Sequence, residues 1–267
     1  MYQSILIEID GAIGILTLNK GERHNAFDDV LIAEMTDGLR ALNDDKRVRA
    51  VVLSSTGKSF CAGTDLKWMK RAAGYTPEEN LSDAYRLAEL MSTLNELSKP
   101  TIARVHGPAY GGGVGLIAAC DIAVATYDAL FALTEVKLGI IPAIISPYVL
   151  AAIGERYSRR YMLTAERFSA AEAYRIGLLH EIAPGVEQLD EAIGKILDSL
   201  LKNGPRAQAE CKELIRTLSG AAINDEIREE TVQRIARARA SPEGKEGLNA
   251  FLEKRKPSWI AAQAHLR

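Results

Sequence analysis

Two glycine-rich segments and one glutamate carry the clearest chemical potential in this chain. The first segment is SFCAGTDLKWM, residues 59–69. The second is HGPAYGGGVGLIAACDIAVA, residues 106–125. In both, glycine stands where a strand gives way to a loop or helix. Glycine there lets the backbone come close to a ligand and turns free N–H groups outward. Two such groups from separate loops can hold one developing oxyanion. Taken singly, each run reads more readily as a tight turn or a close helix contact. Glu135 lies in the apolar run LTEVKLGIIP. Burial can tune such a carboxylate to give or take a proton near neutral pH, whereas at a solvated strand end it would do neither.

Other motifs fall away on inspection. Gly57-Lys58-Ser59 ends like a phosphate-binding loop, but such a loop needs glycine five residues before the Gly-Lys pair, and Val52 stands there. No GxGxxG follows a strand, and no GxSxG elbow presents a serine. His106-Gly107 is similar to an esterase oxyanion loop without a nucleophile to use it. Cys61, Cys120 and Cys211 have no metal-like spacing, and their odd number suits free thiols in a reducing compartment. His24, His106, His180 and His265 form no HxxxH-type pair. No metal site is expected.

These groups must be positioned by an α/β framework. Ile5, Ile7 and Ile9 alternate, Asp10-Gly11 turns, and Ile13, Ile15 and Thr17 alternate again, which predicts a β-hairpin. Residues 28–43 read as an amphipathic helix with Leu31, Met35, Leu39 and Leu42 on one stripe. Val48 to Leu53 reads as a buried strand, followed by a loop through residue 79. A helix is expected over 80–97, ended by Pro100, and then a strand, TIARV. The glycine run opens a small-residue helix, VGLIAAC, followed by the strands DIAVA and LFAL. Alternating strands and helices argue for parallel pairing. From about residue 145 the pattern turns helical. Ser169 and Glu172 suggest a capping box, and Pro205 suits the first turn of a helix running to about 218. The expected organisation is an α/β core over residues 1–200 and a C-terminal helical region over 201–267. The latter must pack on something beyond itself, such as a neighbouring subunit.

Composition narrows the function classes. The 267 residues carry 33 Lys+Arg against 35 Asp+Glu, a net charge of -2, so nucleic acid is disfavoured as a main partner. No apolar run reaches the roughly 18 residues of a membrane span. MYQSILIEID shows no basic region before an apolar stretch, so no signal peptide is expected and a cytoplasmic location is.

Taken in order, the motifs are similar to those of the enoyl-CoA hydratase/isomerase, or crotonase, superfamily. LTLNKGERHNAF at 16–27 resembles its opening strand and adenine-side loop. FCAGTDLKWM and AYGGGVGLIAACDIAVA resemble its two oxyanion segments. FALTEVKLGIIP at 131–142 resembles its catalytic-glutamate segment. LTAERFSAAEAYRIGLLHEI at 163–182 and EGLNAFLEKRKPSW at 246–259 resemble its later helices and its ending. The resemblance covers nearly the whole chain. It implies a spiral of β-β-α units forming two nearly perpendicular sheets, with C-terminal helices that build a homotrimer or a dimer of trimers. It implies an acyl-CoA thioester as ligand, with coenzyme A entering only as part of the substrate and no separate cofactor. By position it makes the backbone N–H groups of Thr64 and Gly112 the oxyanion donors and Glu135 the catalytic carboxylate. It places Arg23, Ala26, Ala62, Asp65, Leu66 and Lys67 against the substrate on one side. On the other it places Tyr110, Gly111, Gly115, Pro142 and Ser146.

One departure matters. The best-known hydratase pattern has a second glutamate two residues after the glycine run, and this chain has Gly115. The segment IIPAIISPYVLAAIGERYSRRYMLTAERF, with AYGGGVGLIA and DLKWMKRAAGY, resembles bacterial 3-methylglutaconyl-CoA hydratases and the related isohexenylglutaconyl-CoA hydratases. That resemblance implies a β-branched enoyl-CoA bearing a second carboxylate. Gly115 would leave room for the branch, and one of Lys67, Lys70 and Arg71 would meet the carboxylate unless they form a solvated helix face. With one glutamate gone, Ser146, Tyr148 or the substrate's own carboxylate is expected to hold the water. A Δ3,Δ2-enoyl-CoA isomerase and a non-catalytic CoA-thioester binding protein are the alternatives. A eukaryotic relative in that branch binds RNA through a lysine-rich helix. The matching stretch here, residues 28–47, has five Asp and one Glu against one Lys and two Arg, so RNA binding is not expected.

Overall fold

The computed structural model describes residues 2–261. The expected hairpin is present. β1 (Ile5–Asp10) and β2 (Ile13–Leu18) pair antiparallel, Ile5 opposite Leu18 and Asp10 opposite Ile13. Four further strands extend this sheet in parallel beyond β2. They are β3 (Ala50–Ser55), β4 (Thr101–Val105), β6 (Ile122–Thr126) and, at the far edge, β9 (Glu181–Ala183). Strand β3 is buried along its whole length, as a central parallel strand covered on both faces must be. A second, three-stranded sheet holds β5 (Ala109–Tyr110), β7 (Leu130–Ala132) and β8 (Phe168–Ser169), in the order β5-β7-β8.

The chain thus repeats a unit of one strand in each sheet followed by a helix. β4 and β5 lead into α4 (Gly112–Ala119). β6 and β7 lead, through a 3-10 turn at Glu135–Leu138, into α5 (Ser146–Thr164). The first helix, α1 (Asp29–Asp44), starts where Asp28 accepts from the N–H of Leu31, and it buries Leu31, Met35, Leu39 and Leu42 as its spacing predicts. α3 (Pro77–Glu96) opens with a complete capping box between Thr76 and Glu79. α4 reads GGVGLIAA and sits in the middle of the core. α6 (Ala170–Arg175), α7 (Val186–Leu201), α8 (Pro205–Leu218), α9 (Asp225–Ala240), α10 (Pro242–Leu252) and the short α11 (Ser258–Ala261) follow.

Four expectations are corrected. The stretch after β3 is not all loop: α2 (Leu66–Ala72) forms there, too short to announce itself by periodicity. The region after residue 145 is not all helical, because β8 and β9 are strands of two and three residues paired to distant partners. Val48 precedes the strand rather than starting it. Ser169 caps α6, but Glu172 does not close the box. Its carboxylate accepts instead from Tyr161 at 2.5 Å and from Arg175 at 2.6 Å.

The hydrophobic core draws on residues from Ile5 to Leu197, whereas α8 and α9 bury no side chain fully. Ile215, Val232, Ile235, Leu248, Phe251 and Leu252 of α8–α10 are exposed. Among the described residues, no helix is long and apolar enough to cross a membrane. His265 and the last residues of the C-terminal region lie outside the described residues.

Candidate active site

Three loops are laced together by backbone hydrogen bonds. The N–H of Phe27 donates to Gly63 O at 2.6 Å and that of Asp65 to Phe27 O at 2.8 Å, while the N–H of Ala62 donates to His24 O at 2.9 Å. So Arg23 and Ala26 run beside Ala62 and Asp65. The third loop joins where the N–H of Tyr110 donates to Cys61 O at 2.9 Å. The buried Asn25 side chain locks the first loop by donating to Thr56 O at 2.8 Å and Ser59 O at 2.9 Å. Gly63, at φ +86°, would bring a Cβ within 3.0 Å of Tyr110 O, so the two glycine segments touch backbone to backbone.

This lacing leaves two amides unspent. Phe27 bonds to the groups on either side of Thr64, so the Thr64 N–H points away from Phe27. Gly111 holds φ +51° at the start of α4 and gives its own N–H to Ala132 O at 2.9 Å. The next amide, Gly112, lies in the first turn of α4, where helical N–H groups have no partner within the helix. Among the described residues, neither the Thr64 nor the Gly112 N–H donates to another group.

Glu135 opens the 3-10 turn, not a strand end. Its Oε1 lies 3.0 Å from where a Cβ on Gly111 would stand, and its Oε2 is buried with no hydrogen-bond partner. Burial pushes its pKa above the usual carboxylate range, opposed by a bond from its own backbone N–H. No other charged group contributes. The consequence for stability has a definite sign. A carboxylate with a raised folded pKa gives its stability below the unfolded value near 4.5 and loses it as pH rises through the folded value. Glu135→Gln should therefore melt higher than the parent at about pH 8, and the gap should close at about pH 4. Thermal melts at the two pH values check this, and a pH-independent gap contradicts it.

The chain that carries these features, two free amides beside an orphaned buried carboxylate, is similar as a whole to known proteins. The enoyl-CoA hydratase/isomerase family model matches residues 8–262. The chain belongs to this family. A Thermus thermophilus relative that carries an enoyl-CoA hydratase name is 36% identical over 92% of this chain and 97% of its own. The crotonyl-CoA hydratase of Syntrophomonas wolfei is 31% identical over 97% and 99%. The crystal structure of an enoyl-CoA hydratase from Shewanella pealeana superposes with a TM-score of 0.94 at 45% identity, covering 96% of both chains. The chain is an enzyme with the crotonase-like fold.

The remaining residues expected of an enoyl-CoA hydratase are placed unevenly. Arg23 ends an exposed 3-10 turn, and Ala26 is buried behind it. Asp65 caps α2, accepting from the N–H groups of Lys67 at 2.8 Å and Trp68 at 3.1 Å, so its carboxylate is spent on structure. Leu66, Lys67 and Lys70 are exposed, whereas Arg71 pairs with Asp29 at 2.8 Å. The Tyr110 ring lies under the Arg167 guanidinium, 5.5 Å from its centroid. Pro142 and Ser146 flank the start of α5, where Ser146 donates to Ala143 O at 2.7 Å and accepts the helix-start position rather than facing free. Tyr148 is half-buried, and burial followed by the Glu96 charge raises its pKa, so neither hydroxyl is a base.

Gly115 needs correction. It does not leave an open space for a β-branch, because a Cβ there would stand 2.3 Å from Ile145 Cγ2 and 2.7 Å from Ile145 Cβ. Ile145 and Phe27, whose Cε2 would meet a Cβ on Gly112 at 2.4 Å, both escaped the reading of the sequence. A glycine signals that something approaches, not what approaches. Cys61, inside the first segment, is no nucleophile: burial pushes its thiol up to about 12. Among the described residues, no group of three His, Cys, Asp or Glu side chains gathers as a metal site.

Proposed function

We propose that this enzyme hydrates an enoyl-CoA whose acyl group is β-branched and carries a distal carboxylate, of the 3-methylglutaconyl or isohexenylglutaconyl type. The observation that carries the reading is the unpartnered Glu135 oxygen beside Gly111, next to the unspent amides of Thr64 and Gly112. The two amides hold the thioester oxygen. Glu135 takes a proton from water, the hydroxide oxygen bonds to the β-carbon, and the C=C electrons move onto the thioester oxygen as an enolate. Collapse of the enolate returns the proton from Glu135 to the α-carbon, so one carboxylate serves both steps on one face. Two preorganised donors are worth several kcal/mol, at roughly 3 kcal/mol each. Arg23, Ala26, Ala62 and Leu66 flank the coenzyme A portion. Support for a distal carboxylate comes from Lys67 and Lys70, exposed just beyond the Thr64 amide on α2 and without an acidic partner among the described residues.

A second reading rests on the same observation. A Δ3,Δ2-enoyl-CoA isomerase moves one proton and needs one base, which Glu135 alone supplies. Ultraviolet absorbance of the conjugated thioester separates the two. Hydration of 3-methylglutaconyl-CoA removes it, isomerisation of a 3-enoyl-CoA creates it, and tight CoA binding with neither change leaves only a binding protein.

The same reading includes a homotrimer or a dimer of trimers assembled through α8–α10. Their exposed Ile215, Ile235, Phe251 and Leu252 support it, because large apolar side chains gathered at the surface of helices that pack on one another mark an association face. Light scattering at micromolar concentration should give at least about three times the 29.1 kDa of one chain. A value near one chain's mass contradicts the assembly.

A further inference from the structure

Two side chains meet the start of α4 about one turn apart. The N–H of Gly115 donates to Gly111 O at 3.3 Å, so the two glycines are separated by one helical pitch, about 5.4 Å. Gly111, at the N-terminal boundary of α4, faces Glu135, whose Oε1 is 3.0 Å from the Cβ position. Gly115, four residues on, faces Ile145, whose Cγ2 and Cβ are 2.3 Å and 2.7 Å from the Cβ position, with Met91 Cε at 3.5 Å. Ile145 is only 3% exposed and stands directly before α5. No side chain fits at residue 115 while Ile145 occupies that place. A β-branched residue is stiff at χ1, so the methyl pressed on Gly115 belongs to a rigid wall.

We infer that Ile145 is a specificity-determining and positioning residue of this site, closing its acyl end one turn beyond Glu135 and keeping water off that side of the carboxylate. The inference rests on the enoyl-CoA reading for the acyl half alone. The other half concerns Glu135 in the free enzyme. The groups around the carboxylate leave burial as the agent. α4 carries no ionisable side chain. Tyr110 on β5, Lys137 on the 3-10 turn and Tyr148 on α5 do not contribute to its shift.

The test uses full-length Ile145→Ala and Ile145→Val. Glu135 is titrated by carbon-13 NMR in glutamate-labelled enzyme, with Glu135→Gln assigning the signal. Acyl preference is read as the ratio of kcat/KM for a long-branched over a short enoyl-CoA. Ile145→Ala should move the Glu135 titration to lower pH, as water reaches the carboxylate, and raise the ratio by about tenfold or more, the effect of opening a small apolar volume in a pocket. Ile145→Val, losing one methyl, should move both in the same direction by less, and it carries the test should the alanine variant not fold. A loss of packing alone would lower stability without moving either readout. A folded variant that keeps the parental titration or the parental ratio overturns the inference. If the parent turns over no enoyl-CoA, the functional reading falls and the titration alone decides the placing of Ile145.

Discussion

Glu135→Gln is expected to lower turnover by at least about 10²-fold while acyl-CoA binding persists. The amide of glutamine keeps the shape of the side chain and can still sit 3.0 Å from the Gly111 Cβ position, but it cannot take a proton from water. The proposed oxyanion donors are main-chain groups, Thr64 in a loop and Gly112 in the first turn of α4, in segments held by the Phe27 and Tyr110 bonds, and the substitution does not touch them. So the loss should fall on kcat, with thioester affinity near the parental value, because the interaction removed operates in the transition state. Stopped absorbance for kcat and calorimetry for binding separate the two. The residual rate should exceed the uncatalysed one, since the amides still polarise the thioester. Near-parental turnover would remove Glu135 from the mechanism and with it both the hydratase and isomerase readings. The stability gain expected of the same variant at alkaline pH makes a misfolded explanation of lost activity easy to detect.

The elements legible in the sequence are those whose burial pattern is long enough to repeat. The β1-β2 hairpin, α1 and α3 each show four or more apolar positions at one period, and each forms where that period predicts. β5 and β8 have two residues each and no period to show. β5 pairs with β7 across twenty residues, and β8 pairs with β7 through Phe131 and Phe168, whose rings stack 5.7 Å apart. Such strands are dictated by tertiary contact. α2 was hidden by its length, although Asp65 before it is a cap by residue type, and reading it as a ligand contact overlooked that use.

The candidate site was legible in its glycines and in Glu135 only as a proposal, largely because a family resemblance ordered them. Composition alone left each glycine run more readily a turn. What stayed out of reach were the side chains that occupy the glycine vacancies, since these come from the residue just before α5 and from the loop before α1. Gly115 shows the cost: absence of a side chain at one position was read as space, and Ile145 from thirty residues away fills it. Close-packed interiors rarely leave such a vacancy open.

The same close packing bears on Gly112, the second proposed oxyanion donor. Gly112→Val would misplace the amide, but a Cβ at that position stands 2.4 Å from Phe27 Cε2 and 2.9 Å from Phe27 Cδ2, and the Phe27 ring is buried. Valine would therefore drive the ring away and strain the strip that also holds Thr64, so loss of activity could come through either donor. Gly112→Ala asks the question with the smallest intrusion. It should lower kcat/KM by about 10²-fold, the usual loss for one displaced donor. Because the clash is with a ring edge, shortening that ring should relieve it. Gly112→Ala combined with Phe27→Val is expected to recover a substantial part of kcat/KM, while Phe27→Val alone loses stability through the cavity it leaves, at roughly 2–4 kcal/mol for a large-to-small core change. Recovery of activity in a double variant less stable than the parent can only reflect the amide returning toward the oxyanion. A folded Gly112→Ala enzyme with parental kcat/KM would show that this amide faces nothing that reacts, and Thr64 would be left as the sole donor.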